Sequence, residues 1–294
     1  MMHGCGHDGH TATLLAAARL IADDADFDGT LHLIFQPAEE GAGGAVQMIA
    51  DGLFERFPCD AVYAFHNMPG IEAGRFVFRN GPAMASSDYV SIRLKGVGGH
   101  GAMPHETVDP LVAAASVVMA LQTVVARNVD PLQAAVVTVG VLQAGQVNNV
   151  IPDEARLELS VRALDPKVRQ QLKARIIELV QSQAASYRVQ AKIDWRDGYA
   201  VLVNSAAETQ LAADVATALF GPQRVERDGP PCMASEDFAF MLNAVPGSYF
   251  FIGNGSPGTA GACSVHNPGY DFNDALIAPG AAFWRALVTR YLVA

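Results

Sequence analysis

Apolar and polar positions along the chain follow two periods, and the order of the stretches predicts the fold. The Ala/Leu-rich stretch "TATLLAAARLIADDA" predicts a helix, and "GGAVQMIADGLF" predicts a second helix opened by glycines. Short apolar runs, "TLHLIFQP", "DAVYAFHN" and "GRFVFRNGP", predict strands around them. Strands that alternate with helices favour an α/β sheet, in which ligands bind in the loops after the strands.

The pattern changes in the middle of the chain. From "SSDYVSIRLKG" to "RVQAKIDWRD" it predicts strand, helix, strand, strand, helix and strand, which is the ferredoxin-like order. Asp165 followed by Pro166 is a typical start for the second of these helices. We therefore predict an inserted α+β domain at residues 87–198. It interrupts one α/β domain formed by residues 1–86 and 199–294.

Composition narrows the classes of partner. The 294 residues carry a net charge of −10, so nucleic acid and anionic membranes are poor partners on bulk charge. No run approaches the roughly 18 apolar residues that a membrane-spanning helix needs. The four cysteines lie far apart and form no CxxC pair, which argues against a disulfide framework and for a reducing compartment. We therefore expect a cytoplasmic protein.

Polar side chains gather where the predicted strands end. Cys5 and His7 are two positions apart, so in an extended segment they would face the same side. Thiolate, imidazole and carboxylate are ligands of Zn²⁺ and its first-row neighbours. Each residue alone has a plainer interpretation, as a turn residue, a hydrogen-bonded histidine or a solvated acid. Their joint placement favours a metal site built from Cys5, His7, Glu39, Glu40, His66 and His266.

Seven motifs in order along the chain resemble those of the M20 metallopeptidase family. Within the family they resemble the amidohydrolase branch, which includes aminoacylases, hippurate hydrolases and indoleacetyl-amino-acid hydrolases. The resemblance covers essentially the whole chain. The motifs are "MHGCGHDGH", "FQPAEEG", "AFHNMPG", "KGVGGHGAMPHETVDP", "NNVIPDEARLELSVR", "SEDFAF" and "VHNPGYDFND".

The resemblance implies a homodimeric amide hydrolase with two divalent ions per subunit, drawn from Mn²⁺, Zn²⁺, Co²⁺ and Ni²⁺. It implies that N-acyl amino acids are cleaved to a carboxylic acid and an amino acid. Residues 87–198 would be a lid that also dimerises. Glu39 would be the general base, His100 would polarise the substrate carbonyl, and Asn149 and Arg162 would contact substrate. The implied metal ligands are Cys5, His7, Glu40, His66 and His266, with Cys5 near or between the ions.

The chain begins inside a motif that the resemblance places after the first strands of the catalytic sheet. We therefore expect an α/β domain that is incomplete at its N-terminus, with activity in doubt. Two alternatives remain open at this point. The chain could be a non-catalytic or weakly active relic of the family. It could instead be a cysteine hydrolase in which Cys5 is the nucleophile beside a histidine, although this leaves Glu39, Glu40 and His266 unexplained.

Overall fold

A computed structural model describes residues 3–23, 26–259 and 261–293. The chain divides into two compact units. The first consists of Met1–Ala83, Val203–Pro231 and Asp237–Ala294, and the second of Met84–Leu202 and Cys232–Glu236.

The helices of the described residues are α1 (His7–Asp23), α2 (Glu39–Ala42), α3 (Gly44–Ala50), α4 (Leu53–Arg56), α5 (Pro110–Asn128), α6 (Pro166–Ser186), α7 (Ala206–Phe220), α8 (Phe238–Ala244) and α9 (Ile277–Tyr291). The strands are β1 (Val62–Pro69), β2 (Phe76–Val77), β3 (Gly81–Met84), β4 (Asp88–Lys95), β5 (Gly99–His100), β6 (Ala135–Ala144), β7 (Val150–Ile151), β8 (Glu154–Ala163), β9 (Gln190–Asp197), β10 (Leu202–Asn204), β11 (Val225–Glu226) and β12 (Gly247–Gly255).

The first unit is built on a mixed sheet with the strand order β1-β12-β2-β11. Its long strands β1 and β12 run parallel, as expected where strands alternate with helices. Phe76, Phe250 and Phe283 are almost fully buried and pack against one another, joining the sheet to α9. His66 lies within β1, opposite Phe251. Backbone pairing in the sheet therefore fixes the position of His66.

The second unit has the predicted strand–helix–strand–strand–helix–strand order. Its antiparallel sheet has the order β6-β8-β4-β9, and α5 and α6 pack together on it. The core consists of apolar side chains from both layers, among them Leu121, Leu157 and Ile176. Asp165 caps α6 as predicted, because its side chain accepts hydrogen bonds from the backbone nitrogens of Lys167 and Val168.

The stretch "TLHLIFQP" is not a strand, and the prediction of a short buried strand there was wrong. It forms no ladder with any described strand, and Leu33 and Phe35 are exposed. Leu31 packs against the cluster of Ala17, Ile21 and Ala281. A strand requires a neighbouring strand to satisfy its backbone, and none of the described residues supplies one.

The predicted helix over "GGAVQMIADGLF" is two short helices. α3 ends at Ala50, and α4 begins at Leu53 after Gly52 adopts a left-handed φ of 86°. A glycine takes this conformation at little steric cost, so it breaks the helical path.

Helix α5 corrects the expectation that no run is long and apolar enough to cross a membrane. It has 19 residues and a mean hydropathy of 1.6, which meet that requirement by length and composition alone. Its inward face, with Val117, Leu121 and Val124, is buried in the core of the second unit. A core helix therefore accounts for its composition.

Candidate metal centre

The turn before α1 carries the first two candidate ligands. Cys5 is buried in a turn, Gly6 has a left-handed φ of 86°, and α1 begins at His7. The expectation of an extended Cys5–His7 segment was therefore wrong. The turn brings the two side chains together in another way: one atom of Cys5, one of His7 and one of His66 lie within 4.8 Å of one another.

His66 is held in one tautomer by the backbone carbonyl of the next residue, Asn67. Its Nδ1 lies 2.7 Å from the carbonyl oxygen of Asn67, to which it donates, so Nε2 carries the lone pair. Nε2 lies 3.3 Å from Cys5 Sγ. Burial lowers the pKa of His66 to about 4, with the hydrogen bond to Asn67 opposing the shift. His66 is therefore a neutral donor at physiological pH, which is the form that binds a metal.

Glu39 and Glu40 begin α2, a single helical turn that is distorted at Glu40 and Gly41. Ala38 and Gly41 have positive φ values of 55° and 90° on either side of the pair. Oε1 of Glu40 lies 3.9 Å from His7 Nδ1 and 3.8 Å from His266 Nε2. The turn thus directs one carboxylate between two histidines.

His266 comes from the loop between β12 and α9. It is a non-glycine residue with a φ of 65°, a conformation that costs about 1–2 kcal/mol for an ordinary side chain. Its backbone nitrogen donates to the carbonyl oxygen of Gly4 at 2.5 Å. This bond holds the loop against the turn that carries Cys5.

The donor atoms form overlapping groups in the first unit. Those of Cys5, Glu40 and His266 lie within 4.8 Å of one another, as do those of His7, Glu39 and Glu40. Donors on one Zn²⁺ lie about 3–4 Å apart, because its bonds are about 2.0–2.3 Å long. The contacts of 3.3, 3.8 and 3.9 Å match this spacing. The set of thiolate, imidazole and carboxylate fits first-row divalent ions, and Cys5 belongs to two groups.

Glu39 lies in different surroundings from Glu40. It is half-buried, and its pKa is raised to about 7, chiefly by burial and then by the charges of Asp237 and Glu40. Asp237 is fully buried and accepts hydrogen bonds from Gln36 Nε2 and from the backbone nitrogen of Ala45. A carboxyl group with a pKa near 7 is suited to general base catalysis near neutral pH.

The raised pKa predicts how pH affects the metal-free protein. Between about pH 4.5 and 7 the folded chain holds a proton on Glu39 that the unfolded chain has lost, so stability falls as pH rises through this range. Glu39→Gln cannot ionise. We expect it to melt at a higher temperature than the wild type at about pH 8, and at the same temperature at about pH 4, in thermal scans with chelator. A constant difference across this range would contradict the prediction.

The other three predicted residues belong to the second unit. His100 is exposed on β5, and its Nδ1 accepts a hydrogen bond from the backbone nitrogen of Ala102. Asn149 is its neighbour, since the Asn149 carbonyl accepts from the backbone nitrogen of Gly101. Arg162 lies near the end of β8, where Nη1 donates to the carbonyl oxygen of Met233.

Sequence reasoning did not assign several residues around the centre. His10 lies on α1 with its ring centroid 4.5 Å from that of His66. Asn67 and Tyr270 are buried and hydrogen-bonded to each other. Asp237 accepts hydrogen bonds from Gln36, ahead of α2, and from the backbone of Ala45 in α3. All four lie within the seven motifs that resemble the M20 family, and this was the only sequence signal for them. The spacing of residues within a motif does not distinguish one that supports a metal ligand from one that only stabilises the fold.

Comparisons with known proteins agree with this picture. The profile of peptidase family M20/M25/M40 matches residues 1–290. A hippurate hydrolase of Campylobacter jejuni is 42% identical over 292 residues, which are 99% of this chain and 75% of that protein. An N-acetyl-L-cysteine deacetylase of Bacillus subtilis is 39% identical over 99% of this chain and 68% of its own length. The crystal structure of the Bacillus subtilis YXEP protein, a dinuclear metal-binding peptidase of the M20 family, superposes with a TM-score of 0.82. It is 29% identical, with 99% of this chain and 73% of that one covered.

Proposed function

The chain belongs to peptidase family M20/M25/M40, and on that basis we propose that it is a metal-dependent amidohydrolase acting on N-acyl amino acids. The observation that carries the proposal is the cluster of five donor side chains in the first unit with a half-buried carboxyl group, Glu39, beside it. The substrates named for its relatives, hippurate and acetylcysteine, share an acyl group joined by an amide to an amino acid. The proposed products are a carboxylic acid and a free amino acid.

We assign two divalent ions to this cluster. Cys5, His7 and His66 would contribute to one position, and Cys5, Glu40 and His266 to the other, so that Cys5 is shared. The mixed thiolate, imidazole and carboxylate set suits Zn²⁺, Co²⁺, Ni²⁺ or Mn²⁺. The bound ions would supply the positive charge that lowers the pKa of a water and polarises the amide carbonyl.

Glu39 is the proposed general base. It takes a proton from the attacking water and later gives it to the amide nitrogen as the carbon–nitrogen bond breaks. A group that performs both transfers works best when its pKa is near the working pH. Burial, together with the charges of Asp237 and Glu40, raises the pKa of Glu39 towards that value. The different surroundings of the two carboxylates support a division of labour: Glu40 Oε1 lies 3.9 Å from His7 Nδ1 and 3.8 Å from His266 Nε2, whereas Glu39 is half-buried and its pKa responds to the charge of Asp237.

Substrate groups are assigned to the second unit, which we propose acts as a lid. Arg162 would pair with the α-carboxylate, since only Nη1 is used for Met233 and a guanidinium offers five donors. Asn149 would contact substrate, and His100 would donate to the scissile carbonyl oxygen.

The length of β8 supports a dimer. Val150 of β7 pairs with His100, β8 begins at Glu154 three residues after the end of β7, and Arg162 follows eight residues later on β8. At about 3.3 Å per residue, the two ends of β8 lie roughly 26 Å apart. One small substrate cannot reach both ends within one chain. We therefore propose a homodimer in which Arg162 acts in its own subunit, while His100 and Asn149 act at the partner's metal centre.

The proposed dimer surface is the outer face of α5 together with the edge strand β6. Met119 on α5 is 70% exposed and Leu132, in the connection to β6, is 95% exposed. β6 is at the edge of its sheet, so one side of its backbone is open to pairing with a second copy. The cytoplasm remains the proposed location, supported by four cysteines that form no disulfide with one another.

Metal removal tests the proposed function. We expect exhaustive chelation to abolish hydrolysis of a panel of N-acyl amino acids, and Mn²⁺, Co²⁺, Ni²⁺ or Zn²⁺ to restore it. Metal content should be measured on the same samples. The 3.3 Å contact between Cys5 and His66 would also suit an activated thiol. Activity that survives chelation but is lost on alkylation would favour that mechanism, and tight metal binding without turnover would favour a non-catalytic relic.

A further inference from the structure

A buried polar network behind the candidate metal centre has no part in the mechanism above. Its members are Asn67, which is fully buried, Tyr270, which is 5% exposed, and the half-buried His10. None of them is in a metal-donor group of the described residues. Burying polar side chains stabilises a fold only if they are paired, so the identity of their partners shows what the network holds together.

The Asn67 side chain spans two of the ligand-bearing segments. One end of its amide lies 2.6 Å from the Tyr270 hydroxyl and the other lies 2.7 Å from His10 Nε2. Tyr270 is in the loop that carries His266, and His10 is in the helix that begins at His7. The amide thus links the His266 loop to the first turn of α1.

The Asn67 backbone reaches the third segment. Its carbonyl oxygen accepts from His66 Nδ1, and its nitrogen lies 3.1 Å from His10 Nε2. In the side chain, Nδ2 donates to the Tyr270 hydroxyl and Oδ1 faces His10 Nε2. The tautomer of His10 decides whether its Nε2 donates to Oδ1 or accepts from the Asn67 backbone nitrogen, and in either tautomer His10 is bonded to Asn67.

The packing around Gly6 shows how close the network lies to the candidate ligands. A methyl group at Gly6 would overlap the Tyr270 hydroxyl and lie 2.6 Å from Asn67 Oδ1. Gly6 is the residue between Cys5 and His7. The network therefore lies directly against the turn that carries these two candidate ligands.

We infer that Asn67 is the positioning residue of the metal centre, and that through His10 and Tyr270 it fixes the Cys5–His7 turn, His66 and the His266 loop relative to one another. This inference rests on the proposed function, since it assumes that these segments bind metal. Groups that orient metal ligands in this way typically contribute about 10–100-fold to metal affinity.

The test is a metal-binding measurement on Asn67→Ala and Tyr270→Phe. Zn²⁺ affinity is measured by competition with a chromogenic chelator, and the Co²⁺-loaded forms are compared by visible absorption. We expect Asn67→Ala to bind Zn²⁺ about 10–100-fold more weakly and Tyr270→Phe to lie towards the lower end of that range. Both should change the Co²⁺ spectrum. Tyr270→Phe removes a single oxygen, so it tests the inference even if Asn67→Ala does not fold.

Asn204→Ala is the matched control. Asn204 is also a buried asparagine of the first unit with several hydrogen bonds, donated to the carbonyls of Arg79 and Tyr249 and accepted from the Tyr249 nitrogen. It touches none of the ligand-bearing segments, so its loss should lower the melting temperature and leave Zn²⁺ affinity and the Co²⁺ spectrum unchanged.

Two results would overturn the inference, and they are distinguishable. If the wild-type chain binds Zn²⁺ tightly and both network variants bind it equally well with unaltered Co²⁺ spectra, the network has only a structural role and the proposed function stands. If the wild-type chain binds no divalent ion, the proposed function fails and the inference fails with it.

Discussion

Glu39→Gln should leave metal content unchanged and lower kcat by about 10²–10⁴, the range for loss of a positioned acid–base group. The amide keeps the size of the side chain and removes its basicity. Glu39 is assigned no metal of its own, and its raised pKa comes from burial, Asp237 and Glu40. The measurement pairs steady-state kinetics on an N-acyl amino acid with elemental analysis of the purified variant.

Glu40→Gln is the matched comparison, since the two residues are adjacent and the substitution is the same. Glu40 Oε1 lies 3.9 Å from His7 Nδ1 and 3.8 Å from His266 Nε2, so its negative charge should be needed to hold an ion between them. We expect this variant to lose both metal occupancy and activity, with partial recovery at high metal concentration. The opposite result, with metal lost in Glu39→Gln and kept in Glu40→Gln, would reverse the two roles.

The sequence predicts the second unit better than the first for a physical reason. The sheet of the second unit pairs residues within one continuous stretch, and an N-cap such as Asp165 acts over three residues. In the stretch around Leu33 and Phe35, apolar and polar residues alternate as in a strand. A strand also needs a neighbouring strand for backbone hydrogen bonds, and the sequence of the stretch itself does not specify that neighbour. Local patterns therefore predict which segments could form strands, and tertiary context decides which of them do.

The candidate ligands were found from the sequence because metal donors belong to a few residue types. The supporting network was not, because Asn67 and Tyr270 carry ordinary polar groups whose role depends on distances across the fold. The sequence also predicts a helix from Thr11, whereas α1 begins at His7. Gly9 is typical of a loop, yet it lies inside α1, where a side chain at its position would overlap the ring of Phe272. The spacing of residues along the sequence does not reveal such a close contact between a backbone and a distant side chain.

His100→Ala should lower kcat and kcat/KM together by about 10²–10³, as for loss of one oxyanion donor, while metal content stays the same. His100 is exposed on β5 in the second unit, and the candidate ligands are in the first. A hydrogen bond that forms mainly in the transition state affects both constants equally. His105→Ala is the control, because His105 is an exposed histidine five residues further along the chain and has been assigned no role. It should retain full activity.

Complementation decides which subunit's centre His100 serves. If it acts at the partner's centre, co-expressing His100→Ala with Glu39→Gln should restore activity. One site of the mixed dimer then combines an intact Glu39 from the first chain with an intact His100 from the second. Mixed dimers, isolated by two different affinity tags, should approach half of the wild-type kcat, since the other site lacks both groups. The span of roughly 26 Å between the ends of β8 favours this arrangement if Arg162 and His100 contact the same substrate. Purified mixed dimers that are no more active than either parent would show that His100 serves its own subunit or has no part in catalysis.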